Sequence, residues 1–86
     1  MTTMRAKVRV SAVFPLQDGS GSVTSERLQL SGVAKSGAYP ADGSDEDNSF
    51  AKWSPSVSMD FHIANPALFG KFNVGDTFYV DFSPAA

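Results

Sequence analysis

The side chains best suited to catalysis lie together near the middle of the chain. Ser58, Asp60 and His62 alternate with apolar residues, and His62 is the only histidine among the 86 residues. Serine, histidine and a carboxylate form nucleophilic hydrolase sites only when hydroxyl and carboxylate both bond to the imidazole. Side chains two apart on a strand point the same way, about 6–7 Å apart. We therefore expect an ordinary surface histidine, no catalytic residue and no enzyme activity.

A second set of chemically competent side chains is the acidic run 42–48, whose carboxylates belong to Asp42, Asp45, Glu46 and Asp47. Carboxylate oxygens suit calcium or magnesium, but the run lacks the central glycine and closing glutamate of an EF-hand loop. The chain has no cysteine, which excludes disulfides and thiolate zinc sites. We predict a solvated, mobile loop that holds no metal and no cofactor.

Three cations, Arg5, Lys7 and Arg9, share one face of the first predicted strand. Aromatic side chains elsewhere could stack on bases, as in OB-folds that hold single strands; they are Tyr39, Phe50, Trp53 and Tyr79. The alternative is that the stripe pairs across strands with acids, for which the candidates are Glu26, Asp60 and Asp81. Seven basic against nine acidic residues give a net charge of −2, a weak attraction for phosphates. Nucleic-acid binding is therefore the less favoured interpretation.

Trp53, the only tryptophan, precedes a Ser-Pro pair. Large aromatic side chains dominate small cores, so burial is the favoured interpretation. The alternative is an exposed anchor for a partner. The predicted partner-binding residues are Arg5, Lys7, Arg9, Tyr39 and Trp53.

Length and composition define the setting of these residues. A chain of 86 residues with 42% hydrophobic residues is one globular domain, 1–86. No apolar run approaches the roughly 18–20 residues that span a bilayer. The N-terminus alternates charged and apolar residues, unlike a signal peptide. We expect a soluble intracellular protein in a reducing compartment.

Periodicity then predicts the elements. Residues 5–14 alternate with Ala6, Val8, Val10, Ala12 and Phe14 on one face, and Pro15 is expected to stop this strand. A hairpin loop at 17–22 leads to a strand at 23–34, in which Ser31-Gly32 suggests a bulge.

The second half begins with a long acidic loop at 35–48, beyond the usual connection length. A short strand at 50–53 and an alternating strand at 56–64 follow. Asn65-Pro66 predicts a helical turn over 66–70, with asparagine as its N-cap. Gly75-Asp76 then turns the chain into a last strand that carries Phe78, Val80 and Phe82 on one face.

Short antiparallel strands without a long helix predict an all-β single domain of about five strands. A partly open barrel is preferred over a small sandwich, because the bulge and the helical turn near 66–70 suit a barrel. We expect the last strand to be central or well covered, so that Phe82→Ala would cost about 3–5 kcal/mol.

Three segments carry a family resemblance: 48–56, which ends in Ser-Pro-Ser, the Asn-Pro-Ala turn at 65–67, and 72–85 with its Tyr-Val-Asp-Phe-Ser-Pro-Ala ending. Over its last 40 residues or so the chain resembles a group of small proteins from tailed bacteriophages, many without an assigned activity. The resemblance implies a phage origin, with the protein in the virion or the host cytoplasm.

Within a phage, the expected role is a virion accessory protein, namely a capsid decoration or cement protein that binds the major capsid protein or another virion protein. The N-terminal strand or the 35–48 loop would make the contacts, and several copies could meet around a symmetry axis. Two alternatives stay open, an OB-like module for single-stranded nucleic acid and an inhibitor of a host protein.

Overall fold

The computed structural model describes residues 4–85; Met1–Thr3, which belong to the N-terminal segment compared above with a signal peptide, and Ala86 lie outside the described residues. The described residues form one antiparallel sheet in the order β3-β2-β1-β4. Its strands are β1 (Met4–Gln17), β2 (Val23–Gly32), β3 (Ser58–Ile63) and β4 (Thr77–Phe82), and a 3-10 helix covers Pro66–Leu68.

The predicted fold class, a small all-β domain of antiparallel strands, is confirmed. The strands number four rather than about five, and they make one sheet with β3 and β4 as its edges, rather than a barrel or two packed sheets. The strand expected at 50–53 is replaced by turns. Trp53 has φ 63°, a left-handed conformation that no β-strand accommodates.

A β-bulge in β1 changes which side chains face the core. Val10 pairs with Leu30 and Ala12 pairs with Gln29, so Ser11 is the extra residue. The bulge shifts the alternation, because cross-strand partners share a face. Val13 therefore packs against the core, whereas Phe14 points away and is 48% exposed. The predictions of an inward Phe14 and of a bulge at 31–32 are both wrong.

Pro15 does not end β1, contrary to expectation. It lies opposite Glu26 within the β1–β2 ladder. β4 pairs with β1 only from Met4 to Arg9, so β1 is an edge strand at Pro15, where a sheet tolerates proline.

Beyond this point the hairpin projects as an arm, residues 14–25. Its turn is held by the Asp18 carboxylate, whose Oδ1 accepts hydrogen bonds from the backbone N–H of Ser20 at 2.8 Å and of Ser22 at 3.2 Å. Exposed apolar side chains lie along the arm, namely Phe14, Leu16 and Val23.

The core lies on the sheet face opposite to the one that carries the Phe14 side chain. This face is called the apolar face below. Its buried members are Ala6, Val8, Val10, Leu28 and Leu30. Its remaining members, supplied by β3 and β4, are Met59, Phe61, Ile63, Phe78, Val80 and Phe82. Side chains from the connecting segments cover part of it, chiefly Phe50, Val57 and Phe72. The register places a single charged side chain of β1–β4 on this face, that of Glu26.

Glu26 is 4% exposed, and its Oε2 accepts a hydrogen bond from the Gly70 backbone N–H at 2.8 Å. The bond fixes the chain just after the 3-10 helix. The Asn65 side chain caps that helix by accepting from Ala67 N–H at 3.1 Å, as the Asn-Pro pair predicts. Phe72 then reaches the core, where its ring meets that of Phe78 with centroids 5.5 Å apart.

β4 is an edge strand, so the prediction of a central or well-covered strand is wrong. It pairs only with β1, and on the apolar face Phe78 is 38% and Phe82 47% exposed. Alternation identifies the buried face of a strand but not its neighbours. Within a single copy, Phe82→Ala therefore costs less than the 3–5 kcal/mol or so expected for a buried phenylalanine.

The fold predicts a large contrast between two hydrophobic truncations. Leu28→Ala, at a 4% exposed side chain, should lower the free energy of unfolding by about 3 kcal/mol. Phe14→Ala should lower it by less than about 1 kcal/mol, since its ring already meets water. Urea unfolding followed by circular dichroism measures both. An equal loss for the two variants would place Phe14 in the core and contradict the bulge at Ser11.

Candidate docking site

The segment after β2 folds against β1 instead of forming a solvated loop. β2 ends at Gly32, and the next residues take over its pairing with the first part of β1. Val33 N–H donates to Lys7 C=O at 2.9 Å, and Ser49 N–H donates to Arg5 C=O at 3.0 Å. The segment therefore completes the backbone hydrogen bonds of a strand whose regular neighbour has ended.

Asn48 is the residue that holds this segment in place. Its side-chain Oδ1 accepts from Lys7 N–H at 2.8 Å, and its Nδ2 donates to Val33 C=O at 2.7 Å and to Asp45 Oδ2 at 3.1 Å. The residue is fully buried at 0% exposure. One amide thus satisfies backbone groups of β1 and of the start of the loop, which would otherwise be left buried without partners.

Asp45 completes this hydrogen-bonded cluster and is only 3% exposed. Its carboxylate accepts from the backbone N–H groups of Lys35 at 3.2 Å, Asp47 at 3.0 Å and Asn48 at 3.1 Å. Burial works to raise the pKa of Asp45, but the hydrogen bonds from Asn48, Lys35 and Asp47 outweigh it and hold the pKa below its ordinary value. For Asp45 and Asn48 the prediction of a solvated loop is wrong.

The lowered pKa of Asp45 predicts acid sensitivity with a definite sign. The unfolded carboxyl has a pKa near 3.9, so the unfolded chain binds this proton first as the pH falls. The stabilisation is complete above about pH 4 and is lost as the pH falls through the lower folded-state pKa. Asp45→Asn should have a free energy of unfolding about 2 kcal/mol lower than that of the parent chain at neutral pH. Urea unfolding should show this difference shrinking as the pH is lowered toward about pH 2.

Glu46→Gln is the matched control, because it removes the same charge from the same loop at a side chain 72% exposed. Its loss should be small at every pH, since exposed ion pairs contribute little. A gap for Asp45→Asn that stays constant from neutral to acid pH would contradict the assignment of the buried carboxylate.

The cluster presents an aromatic platform, formed by Tyr39 and Trp53. The two rings have centroids 5.8 Å apart at an angle of 54°. The backbone N–H of Trp53 donates to the Gly43 C=O at 2.8 Å. The indole ring of Trp53 covers Gly43 so closely that a Cβ at residue 43 would overlap the ring. Trp53 stays 51% exposed, so the favoured prediction of its burial is wrong.

Two features fix the platform. The first is the Tyr39 hydroxyl, which lies 3.5 Å from Asp45 Oδ2. Burial, assisted by the neighbouring Asp45, raises the pKa of this hydroxyl. Trp53 is the only non-glycine residue with a positive φ among residues 4–85. Such a conformation costs of order 1–3 kcal/mol and persists only where the surroundings impose it. The chain therefore holds the backbone of Trp53 in one strained conformation, with a half-exposed indole packed over Gly43.

Negative charge lies beside the platform. Asp42 precedes Gly43, and its Oδ1 accepts from Ser44 N–H at 3.0 Å. Hydrogen bonds from Ser44 lower the pKa of Asp42, so the carboxylate is ionised at neutral pH. Lys52 adds a positive charge near Asp42 and contributes to lowering the same pKa, so the surroundings of the platform carry charges of both signs.

Gly43 offers a test of the platform with a built-in reporter, because the chain has one tryptophan. Gly43 has φ 74°. Gly43→Ala should displace the indole, shift the tryptophan emission maximum and cost at least about 1 kcal/mol. Gly19→Ala is the control, since no atom lies within 4 Å of its Cβ position. Unchanged emission in Gly43→Ala would show that the indole does not lie on this glycine.

The basic stripe is largely neutralised by the chain itself. Arg5 binds Asp81 at 2.6 Å, and its guanidinium lies 4.5 Å from the centre of the Tyr79 ring. Lys7 lies 3.5 Å from Asp47. The cross-strand alternative is thus confirmed for Asp81, while the partner of Lys7 comes from the loop.

The rest of the stripe and its proposed partners lie apart. Arg9 is exposed and makes no ion pair with any residue between 4 and 85. Glu26 lies on the opposite face, and Asp60 is bound to Arg27 at 2.6 Å. The five predicted partner-binding residues therefore fall into two groups, the stripe on β1 and the platform of Tyr39 and Trp53.

His62 lies on the exposed side of β3, opposite Arg27. The hydrogen bonds from Arg27 lower the pKa of Asp60 and occupy the carboxylate that a catalytic triad would need. Across residues 4–85 no group of three or more histidine, cysteine or acidic side chains is placed to hold a metal ion. In the same range, no helix is long and apolar enough to cross a membrane.

Comparison of the chain with protein-family models, with curated proteins and with solved structures finds no match.

Two residues of the site, Gly43 and Asn48, were not predicted from the sequence, and neither was the projecting arm, which lies outside the site. Gly43 and Asn48 act through contacts that no local pattern encodes. The arm was not predicted because Pro15 was expected to end the first strand. Apolar residues on both sides of the Asp18–Ser22 turn nevertheless indicate that the hairpin extends this far.

Proposed function

We propose that the chain is a non-enzymatic accessory protein that docks on a larger protein through the aromatic platform. The observation that carries the proposal is Trp53, half exposed and held over Gly43 in a strained backbone conformation. Tryptophan and tyrosine are the residues that most often dominate binding energy at protein interfaces. A platform fixed before binding loses little conformational entropy when a partner covers it.

The pairing of the basic stripe supports a protein partner over a nucleic acid. Arg5 and Lys7 are already paired with Asp81 and Asp47, so binding phosphates would require breaking these pairs. The OB-like alternative depended on a free basic stripe, of which Arg9 is the remaining unpaired member.

The phage resemblance makes the capsid shell the proposed partner. In this proposal the chain is a decoration or cement protein, with the platform facing the shell. The alternative of a host-protein inhibitor would use the same platform on a different partner.

Quantitative mass spectrometry of purified particles of the encoding phage tests this function. The chain should be present at a fixed ratio to the major capsid protein. In phage carrying Trp53→Ala, its copy number should fall at least about tenfold, as expected for the loss of a dominant interface side chain. Phe14→Ala is the matched control, since Phe14 is 48% exposed against 51% for Trp53 and lies outside the platform.

Absence of the chain from intact particles would overturn the capsid role, and recovery with a host protein from infected cells would favour the inhibitor. Oligonucleotide binding that weakens steeply with salt, and that is abolished when Arg5, Lys7 and Arg9 are all replaced by glutamate, would favour the nucleic-acid module. Equal incorporation of Trp53→Ala and Phe14→Ala would place the docking surface elsewhere.

A further inference from the structure

The molecule exposes more surface than a compact protein of its mass. Its accessible surface is 5766 Å², whereas a compact 9.1 kDa monomer has about 4,900 Å². Its radius of gyration is 15.9 Å, against about 12 Å for a compact domain of this length. Extents of 56 × 33 × 16 Å describe a plate. The excess of roughly 900 Å² is close to the 800 Å² or so that each partner buries in a standard interface.

Much of the exposed apolar surface lies on the apolar face. Large side chains there are between 38% and 49% exposed: Met4, Phe61, Leu68, Phe78 and Phe82. Three of them, Phe61, Leu68 and Phe78, line a groove of about 270 Å³ that is also lined by Val8 and Leu30. The one charged side chain that β1–β4 place on this face, Glu26, is buried beneath the surface and already accepts from Gly70. The groove is thus apolar throughout and carries no exposed charge of the sheet.

The thin core identifies the kind of partner. Five apolar side chains are buried, and all of them belong to the central strands β1 and β2. The edge strands β3 and β4 flank these side chains within the same sheet. Domains ordinarily close such a core with a second layer, and one 3-10 turn with a few loop side chains provides only part of that layer. The missing layer is needed when the chain folds. Another copy of the chain carries the same uncovered apolar face and is present wherever the chain is made.

We propose that the apolar face is a self-association surface, on which a second copy packs face to face to form a two-layered sandwich. Two such sheets pack about 10 Å apart, so side chains such as Phe61 and Phe78 of one copy fill the groove of the other. The interface is isologous, because each copy contributes the same patch. Self-association is independent of the docking platform, which lies on the connecting loop.

Sedimentation equilibrium from low micromolar to millimolar concentration tests the proposal. The parent chain should approach twice its monomer mass of 9.1 kDa, and its melting temperature should rise with concentration. Phe61→Asp should raise the dissociation constant about 100-fold or more, because two aspartates enter one apolar interface. Phe14→Asp is the matched control, at 48% against 49% exposure on the other face, and it should dimerise like the parent chain.

Phe61→Ser provides a milder variant if Phe61→Asp does not fold, and it should weaken the dependence of the melting temperature on concentration. A parent chain that is monomeric at millimolar concentration, with a melting temperature independent of concentration, would overturn the proposal. So would dissociation by Phe14→Asp with none by the Phe61 variants. Neither result bears on incorporation into particles, so this surface and the docking platform can fail separately.

Discussion

The structure depends on one constraint: a single four-stranded sheet has an apolar face that the chain must cover with very little material. The segments between the strands meet part of this need. Phe50 and Val57 reach the core from the connection between β2 and β3, and Phe72 reaches it from the connection between β3 and β4. Glu26 anchors the second of these connections by accepting from Gly70. Each connection therefore has a packing role as well as a linking role. The incomplete cover accounts for the exposure of Phe61, Phe78 and Phe82 on the apolar face.

The opposite face exposes charged side chains, and those of Arg5, Lys7 and Arg27 are paired with acids. Arg5 and Asp81 bond across β1 and β4, and the Tyr79 ring lies beneath the guanidinium. Tyr79 also donates to Asp47 at 3.0 Å, which connects this face to the loop and, through Asn48, to the backbone of β1. The platform is therefore supported by the sheet, and its rigidity depends on residues far away in the sequence.

Local patterns predict the elements of this fold where one strand face is buried. The alternation of β3 and the first half of β1 is readable, as is the capped turn that begins at Asn65. The misses share a physical cause, which is dependence on partners distant in sequence. No glycine marks the bulge at Ser11, the edge position of β4 depends on strand order, and Asn48 acts on Lys7, 41 residues earlier. The position of the Trp53 indole depends in turn on Gly43, because the ring packs where a Cβ of residue 43 would lie.

The Asn48 cluster has a consequence for how the chain tolerates change in length. Hydrogen bonds fix the loop on both sides of residues 36–38, through Lys35 N–H to Asp45 and through the Gly43–Trp53 contact. The three residues between are exposed, and Gly37 has open space around it. Because lengthening an already closed loop costs little additional entropy, foreign peptides inserted here should be displayed beside the platform while the sheet keeps its register. Sequence length can thus evolve, or be engineered, at this point independently of the fold.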